Sequence, residues 1–140
     1  MIENIDDENQ CKKYTNHTKS EIKEFIYRCF ELIREGKKDY LSSNEKNFNF
    51  QAEYGIRDIW KVVLSISVEY FCYSADDYKK TKNGIKIERV YIFKVPYVLQ
   101  DRRTDIYLKL KMRRKKSYED VFVLSLHKPE KPLNVLWNDF

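Results

Sequence analysis

The chain has 140 residues, of which 42% are apolar and 15% aromatic, so it is long enough for one packed domain and too short for two. This composition excludes a disordered chain, and no apolar run approaches the roughly 20 residues that a membrane-spanning helix needs. The net charge is +5, but the first ten residues hold four carboxylates and no base, so the other residues carry +9. That excess suggests a polyanionic partner, although charge alone explains solubility equally well.

The cysteines and the N-terminus favour a cytoplasmic protein. Cys11, Cys29 and Cys72 are odd in number and lack the spacing of metal ligands, so we expect reduced thiols. The N-terminus is acidic and polar, unlike a signal peptide, and no membrane association is expected. The sequence has no Cys/His cluster suited to zinc and no glycine-rich phosphate loop, so neither a metal nor a cofactor is expected.

The N-terminal part predicts a polar segment followed by a helix. Residues 1–17 predict a mobile acidic leader, in which His17 has no predicted partner. Thr18 as N-cap and Glu21 three residues later form a capping box, so a helix begins there. Apolar residues follow at helical spacing, and Gly36 suits the C-terminal stop.

The middle of the chain predicts less regular structure. Residues 37–53 are polar and irregular, and their two phenylalanines suggest a short extended piece. A second helix is predicted over residues 56–64, and a short helix is favoured over a strand for residues 68–73. Residues 76–86 are rich in charge and predict a loop.

Three strands are predicted in the C-terminal half: residues 87–95, 106–113 and 121–127. Pro96 ends the first, because proline cannot donate to a sheet ladder. A basic turn at residues 114–119 joins the other two, and the apolar residues of the tail could pack over the domain.

The order of these elements predicts an α+β fold. Two N-terminal helices would pack on one face of a small, mainly antiparallel sheet of three to four strands. Residues 18–140 are expected to form this single domain.

The last two predicted strands alternate between apolar and polar side chains, so each has two distinct faces. The polar face of the first carries Tyr107, Lys109, Lys111 and Arg113. In the second, Phe122, Leu124 and Leu126 lie on one face and Val123, Ser125 and His127 on the other. Pairing Arg113 with Val121 across the turn would set Lys111 opposite Val123, Lys109 opposite Ser125 and Tyr107 opposite His127. An apolar face suffices for folding, so the cationic face calls for a functional explanation.

Cleavage of RNA without a metal would explain this face. One group must remove the proton of the 2′-OH, a second must protonate the departing 5′-oxygen, and cations must stabilise the negative phosphorane. His127 is the candidate acid or base, and Tyr107 would orient the ribose or share the proton transfer. Lys109, Lys111 and Arg113 would hold phosphate. Each of these residues also has an ordinary structural explanation, since alternating lysines are usually a solvated face.

Residues 54–133 also resemble the MqsR family of toxins from toxin–antitoxin systems, which are RelE-like mRNA interferases. The matching pieces are YGIRDIWKVVLSISVEYFCY, VYIFK, DIYLKLKM and VFVLSLHKPEKPL, in the family's order and at compatible spacing. The predicted helix at residues 18–36 also lies where family members have one.

The resemblance implies a compact α+β fold, sequence-preferring cleavage of single-stranded mRNA without a metal, and a cognate antitoxin as partner. Tyr107 stands where family members place an active-site tyrosine, and Lys109 matches the lysine of the same motif. His127 falls where some members have a catalytic lysine and others a histidine.

Two departures from the family pattern affect the implied site. Tyr73 stands in place of a family lysine, and Ile92 in place of a glutamine. Lys94 or Arg89 could contact phosphate in place of the family lysine, and Tyr73 itself could contact RNA. These three residues are therefore candidate RNA contacts. Without the family groups the site could also be slower or inactive.

The alternative function is a non-catalytic inhibitor, for example phage-borne, that uses the same basic face to dock RNA, DNA or an acidic protein. A third, structural explanation treats the strand lysines as plain surface. The positions of Tyr107 and His127 discriminate between these explanations, because side chains that diverge would remove the catalytic pair.

Overall fold

The computed structural model describes residues 12–139, which fold into the α+β architecture that the sequence predicts. Three α-helices are described: α1 (Lys19–Arg34), α2 (Glu45–Tyr54) and α3 (Ile59–Val63), with a 3₁₀ turn at Val68–Tyr70. Six strands are described: β1 (Lys13–Tyr14), β2 (Lys38–Tyr40), β3 (Phe71–Thr81), β4 (Gly84–Leu99), β5 (Arg102–Arg114) and β6 (Glu119–His127).

All six described strands belong to one mixed sheet with the order β1-β3-β4-β5-β6-β2. The neighbours are antiparallel except β2, which pairs in parallel with β6. The two edge strands were not predicted because they span only two and three residues, and such short pieces carry no alternation to detect. Strand β3 was not predicted either: the short helix favoured for residues 68–73 is confirmed only as the 3₁₀ turn at Val68–Tyr70, and the strand begins at Phe71.

Helix α1 begins and ends where its sequence signals predict. Thr18 Oγ1 accepts a hydrogen bond from the Glu21 amide at 3.1 Å, and Glu21 Oε1 accepts one from the Thr18 amide at 3.0 Å. Gly36 adopts a φ of 78° just after the helix, a conformation that glycine reaches without steric cost. The buried stripe of α1 packs on the sheet through Ile22, Ile26, Cys29, Leu32 and Ile33.

The prediction for the segment between α1 and β3 is partly wrong. Residues 45–54 form helix α2 instead of irregular chain, and α3 is shorter than the helix predicted over residues 56–64. Asn44 caps α2 by accepting from the Asn47 amide at 3.1 Å, and Gly55 ends it with a φ of 64°. Only Asn47 and Phe50 are buried on α2, so the helix lacks the apolar stripe that periodicity could reveal.

The predicted charged loop at residues 76–86 is also wrong, because these residues form the far end of the hairpin β3–β4. The pairs continue from Asp76 opposite Arg89 to Thr81 opposite Gly84. Charged residues are stable in a sheet when oppositely charged side chains face each other across two strands. The Asn83-Gly84 dipeptide is a signal for a hairpin turn, and here it predicts the structure better than the high charge of the segment does.

The connection between β4 and β5 is a two-residue turn. Gln100 and Asp101 have φ values of 51° and 62°, which matches the right-handed twist of the flanking strands. Pro96 does not end β4 as predicted, since the strand runs to Leu99. Strand β3 starts opposite Phe93, so β4 has no neighbour on that edge beyond this point, and an edge tolerates proline.

The two faces of the sheet have different partners. The helix face carries Phe93, Leu108 and Leu110, which join the main core with the helices. The tail face carries Ile92, Tyr107 and Lys109, and here Leu133 and Val135 of the C-terminal tail pack. Leu136 and Trp137 contact the main core instead, so the tail packs over the domain as its composition predicts.

A β-bulge in β6 alters the predicted register. Lys109 pairs with Ser125, but Leu110 pairs with Val123, which leaves Leu124 as the extra residue. Tyr107 opposite His127 and Lys109 opposite Ser125 are therefore confirmed, whereas Lys111 lies opposite Phe122 and Arg113 opposite Asp120. The predicted faces of β6 are wrong before the bulge, where Val121 and Val123 point into the main core.

The predicted leader is in part integral to the described fold. Lys13 and Tyr14 pair with Ala75 and Ser74 of β3, while residues 1–11 lie outside the described residues. Among the helices described, none combines the length and apolarity needed to cross a membrane.

Candidate active site

A cavity of about 620 Å³ opens on the tail face, between the sheet and the C-terminal tail. Its floor comes from β3, β5 and β6, its rim from β1 and α2, and one wall from residues 130–136. Four predicted site residues line it together: Tyr73, Tyr107, Lys109 and His127. The cavity also has Lys13, Lys46, Lys131, Cys72 and Ser125 in its lining.

Tyr107 and His127 converge, as the predicted register requires. They are directly opposed on β5 and β6, and their rings stack with centroids 5.3 Å apart and an interplanar angle of 15°. Both side chains lie on the tail face and line the cavity. The two side chains therefore converge on one face of the sheet and do not diverge.

One hydrogen bond fixes the tautomer of neutral His127. Its Nδ1 lies 2.8 Å from the Lys128 carbonyl oxygen, and a carbonyl can only accept, so Nδ1 carries the hydrogen. The lone pair of the neutral ring is then on Nε2. No hydrogen bond occupies Nε2 within residues 12–139, so this atom can accept a proton from a ligand.

The hydroxyl of Tyr107 is buried without a hydrogen-bond partner among the described residues. The residue is only 8% exposed, and burying an unpaired hydroxyl costs about 1–3 kcal/mol. Tyr107 lines the cavity, but its hydroxyl oxygen has almost no exposed surface, so a ligand oxygen can form the missing hydrogen bond only when the side chains around the hydroxyl move.

The cavity is electropositive. Four lysines and one glutamate line it, and the glutamate, Glu130, is paired with Lys46 at 2.7 Å. Lys13 Nζ lies 4.7 Å from the centroid of the Tyr73 ring, a cation–π distance. Lys109 and Lys131 form no ion pair within the described part of the chain, so both ammonium groups are available to an anion.

Lys111 and Arg113 do not belong to this cavity, which corrects their predicted role as phosphate contacts. Lys111 is 0% exposed and donates to Asp77 at 2.7 Å and Glu88 at 2.9 Å. Burial acts to lower its pKa, but the hydrogen bonds that it donates to the two carboxylates outweigh burial and leave the pKa raised. The charge is thus kept and neutralised inside the protein.

Arg113 is occupied in a similar way. It donates to both oxygens of Asp120, at 3.0 and 2.6 Å, and to Asp39 at 3.2 Å. These hydrogen bonds, from Asp120 first, raise the pKa of Arg113. Its guanidinium also covers the Phe122 ring at 4.0 Å, so Arg113 joins β5, β6 and β2 and has no role in the cavity.

The two substitute contacts have different positions. Lys94 is paired with Tyr107 across β4 and β5 on the tail face, so it flanks the site on the side away from His127, with Nζ 4.0 Å from Asp105. Arg89 lies on the helix face, where it donates to Asp76 at 3.2 Å and Ser74 at 3.3 Å. The prediction that Arg89 contacts RNA in this site is therefore wrong.

His17, predicted to have no partner, is buried against Phe71 and Tyr91 on the helix face. Its Nε2 lies 2.7 Å from Ser74 Oγ and its Nδ1 3.5 Å from Glu21. The arrangement has the order of a hydrolase triad, but Ser74 is 0% exposed and no substrate can reach it. We therefore assign this group a structural role in anchoring residues 15–18 to the sheet.

The cavity contains cations that the sequence analysis missed. Lys13 was assigned to the leader, Lys46 to irregular chain and Lys131 to the tail, so no predicted element placed them near His127. The one available signal was proximity along the chain, since Lys131 lies four residues after His127 in the run HKPEK.

Within residues 12–139, no group of three or more His, Cys, Asp or Glu side chains is arranged to hold a metal ion.

Comparisons with protein-family models, curated proteins and solved structures found no significant match to this chain.

Proposed function

We propose that this protein is the toxin of a toxin–antitoxin system, an endoribonuclease that cleaves mRNA by attack of the 2′-OH without a metal. The observation that carries the proposal is the convergence of His127, Tyr107 and Lys109 in one electropositive cavity. The resemblance of residues 54–133 to the MqsR family supports the same function, a RelE-like α+β fold and a cognate antitoxin as partner. A cytoplasmic location is part of the proposal and follows from the expected reduced thiols.

The roles follow from the hydrogen-bonding state of each group. Neutral His127 accepts the 2′-OH proton at Nε2, while its Nδ1 stays bonded to the Lys128 carbonyl. The 2′-oxygen forms a bond to phosphorus, and the bond from phosphorus to the 5′-oxygen breaks. Lys109 stabilises the negative phosphorane, and its ammonium can protonate the leaving oxygen. The products are a 2′,3′-cyclic phosphate and a 5′-hydroxyl.

Tyr107 fits a role in positioning the substrate. Its hydroxyl has no partner among the described residues, so a hydrogen bond to a ribose or phosphate oxygen would satisfy it. Tyr73 is only 7% exposed and its ring lies under Lys13, so it forms part of the cavity lining rather than a free surface for stacking a base. A single-stranded substrate is what the resemblance to the MqsR family implies.

The decisive experiment incubates the purified protein with a defined single-stranded mRNA in EDTA and maps any new ends. We expect discrete cuts that carry 2′,3′-cyclic phosphates. His127→Ala should lower the cleavage rate by about 10²–10⁴-fold, the usual contribution of a general base. His17→Ala is the matched control, because that imidazole lies on the other face, and its rate per folded molecule should remain near wild type.

A non-catalytic RNA-binding function is favoured by one observation: Tyr73 lines the cavity where the resembling family has a lysine. The same experiment separates the two functions. RNA that binds in the cavity and stays intact would support the binding protein and refute the enzyme. Equal cleavage by wild type and His127→Ala would remove the proposed role of His127.

A further inference from the structure

A second basic pocket lies at the turn between β5 and β6, away from the candidate active site. It has a volume of about 370 Å³ and is lined by Arg28, Lys37, Arg114, Lys115, Lys116, Ser117, Tyr118 and Glu119. Tyr107 is seven residues from Arg114 along β5, so the pocket is about 24 Å from the catalytic pair. The candidate active site uses none of these residues.

Two cations of this pocket form ion pairs, and the other three form none among the described residues. Arg28 is held by Glu119 at 3.1 Å, and Lys37 by Glu35 at 2.9 Å. Arg114, Lys115 and Lys116 have no ion pair among residues 12–139, although they are consecutive and repel one another. A hydrogen bond of 2.7 Å from the Lys115 amide to the Tyr118 carbonyl keeps the turn closed and the charges together. An anion in the pocket would relieve that repulsion.

The lining favours nucleic acid over an acidic protein. Five of its eight residues are cationic and none is aliphatic, whereas protein interfaces depend on an apolar centre and are depleted in lysine. Tyr118 is 46% exposed beside the cations; Lys37 Nζ lies 6.0 Å from the centroid of its ring, and the exposed part of the ring can take a stacked base. Phosphate contacts with an adjacent stacking ring are the usual means of holding a single strand.

We propose that this pocket is a second RNA-binding site, which holds backbone phosphates of a single strand through Arg114, Lys115 and Lys116 and stacks a base on Tyr118. This inference takes RNA as the polymer from the proposed function. It adds an exosite, which is a binding site distant from the cleaved bond. At the stacked spacing of 3.4 Å per nucleotide, a strand of about seven nucleotides spans both sites.

The test measures binding of a 20-nucleotide 2′-O-methyl RNA by fluorescence anisotropy at several salt concentrations. This RNA lacks the attacking hydroxyl, so the result does not depend on whether the protein cleaves. Arg114→Gln/Lys115→Gln/Lys116→Gln should weaken binding by about tenfold and reduce the slope of log affinity against log salt by about 2. Tyr118→Ala should weaken binding at least about fivefold and leave the slope unchanged.

Lys23→Gln/Lys61→Gln/Lys80→Gln is the matched control, because it removes three exposed lysines outside both pockets. Near-normal binding by this control supports a localised site. Equal losses in both triple variants, or no RNA binding by the wild type, would overturn the proposal. A polyglutamate peptide bound as tightly as the RNA, with the same dependence on Tyr118, would overturn it in favour of an acidic protein partner.

Discussion

The two halves of β5 each carry a lysine on the same face of the sheet, Lys109 and Lys111, but the surroundings of the two side chains differ. Lys109 lies in the open cavity beside Tyr107 and His127. Lys111, two residues further on, is fully buried between Asp77 and Glu88. The difference comes from their neighbours, since the tail leaves a cavity over Lys109 while the β3–β4 hairpin supplies two carboxylates to Lys111.

This contrast shows that an alternating pattern identifies a face and leaves open what each side chain on that face meets. A cation available for catalysis and a cation fixed within the fold look identical in the sequence. Substitutions at the two positions should therefore affect different properties: stability at Lys111 and RNA cleavage at Lys109.

Lys111→Met should lower the free energy of unfolding by about 3 kcal/mol. The substitution removes the nearest cation from two largely buried carboxylates, Asp77 and Glu88, which is the costly way to break an internal ion pair. Glu88 keeps only the longer pairs with Lys79 and Lys86, at 3.7 Å each. Urea denaturation at neutral pH measures the change. Lys109→Met is the control and should stay within about 0.5 kcal/mol of wild type. Equal destabilisation by the two variants would show that the halves of β5 do not differ.

Lys109→Met should lower the rate of RNA cleavage by about a hundredfold, because it removes the cation next to the catalytic pair. The comparison variant is Lys111→Met, whose cleavage rate per folded molecule should be near wild type once unfolded protein is excluded. A single-turnover assay on a defined RNA measures both rates. Loss of activity in both variants would indicate that Lys111 acts on the site through the sheet.

The sequence predicts the elements whose pattern is local. The capping box of Thr18 and Glu21, the Gly36 stop and the opposition of Tyr107 and His127 all follow from residues near each other in the chain or across one turn. The α+β class and the packing of the tail follow from apolar content in the same way.

The remaining features depend on contacts between distant segments, and the sequence could not predict them. The bulge at Leu124 shifts half of β6 by one residue, because the core rather than the alternation decides which valines turn inward. The hairpin β3–β4 is rich in charge, yet its carboxylates neutralise Lys111. Lys13 reaches the cavity only because β1 pairs with β3.

Tyr107→Phe should raise the free energy of unfolding by about 1 kcal/mol while it lowers RNA cleavage about tenfold. The substitution removes a buried hydroxyl without a partner among the described residues, and it also removes the hydrogen bond to the substrate that the proposed mechanism assigns to this hydroxyl. Tyr40→Phe is a close control, since Tyr40 also has a buried unpaired hydroxyl but lies outside the cavity. It should stabilise the protein similarly and leave cleavage unchanged. If Tyr107→Phe destabilised the protein, the hydroxyl would have a structural role instead.

The smallest expected effect is a dependence of stability on pH, which arises from the ion pair between Lys111 and Glu88. Burial acts to raise the pKa of Glu88, but the hydrogen bond and charge of Lys111 outweigh burial, so its pKa is lowered. Its contribution to stability is therefore complete above the ordinary glutamate pKa of 4.5 and is lost as pH falls through the lowered value. Lys111, whose pKa is raised, contributes fully below 10.5 and loses its contribution as pH rises through its own value.

Melting temperatures between pH 3 and pH 7 test the acid limb of this dependence. Glu88→Gln should melt below wild type at pH 7, and the gap should narrow as the pH falls, because the wild type loses an interaction that the variant lacks throughout. Glu53→Gln, at an exposed glutamate of α2, should follow the wild-type curve. If the gap between Glu88→Gln and wild type were constant across this range, Glu88 would not be held ionised by Lys111. The contrast between the two halves of β5 would then rest on burial alone.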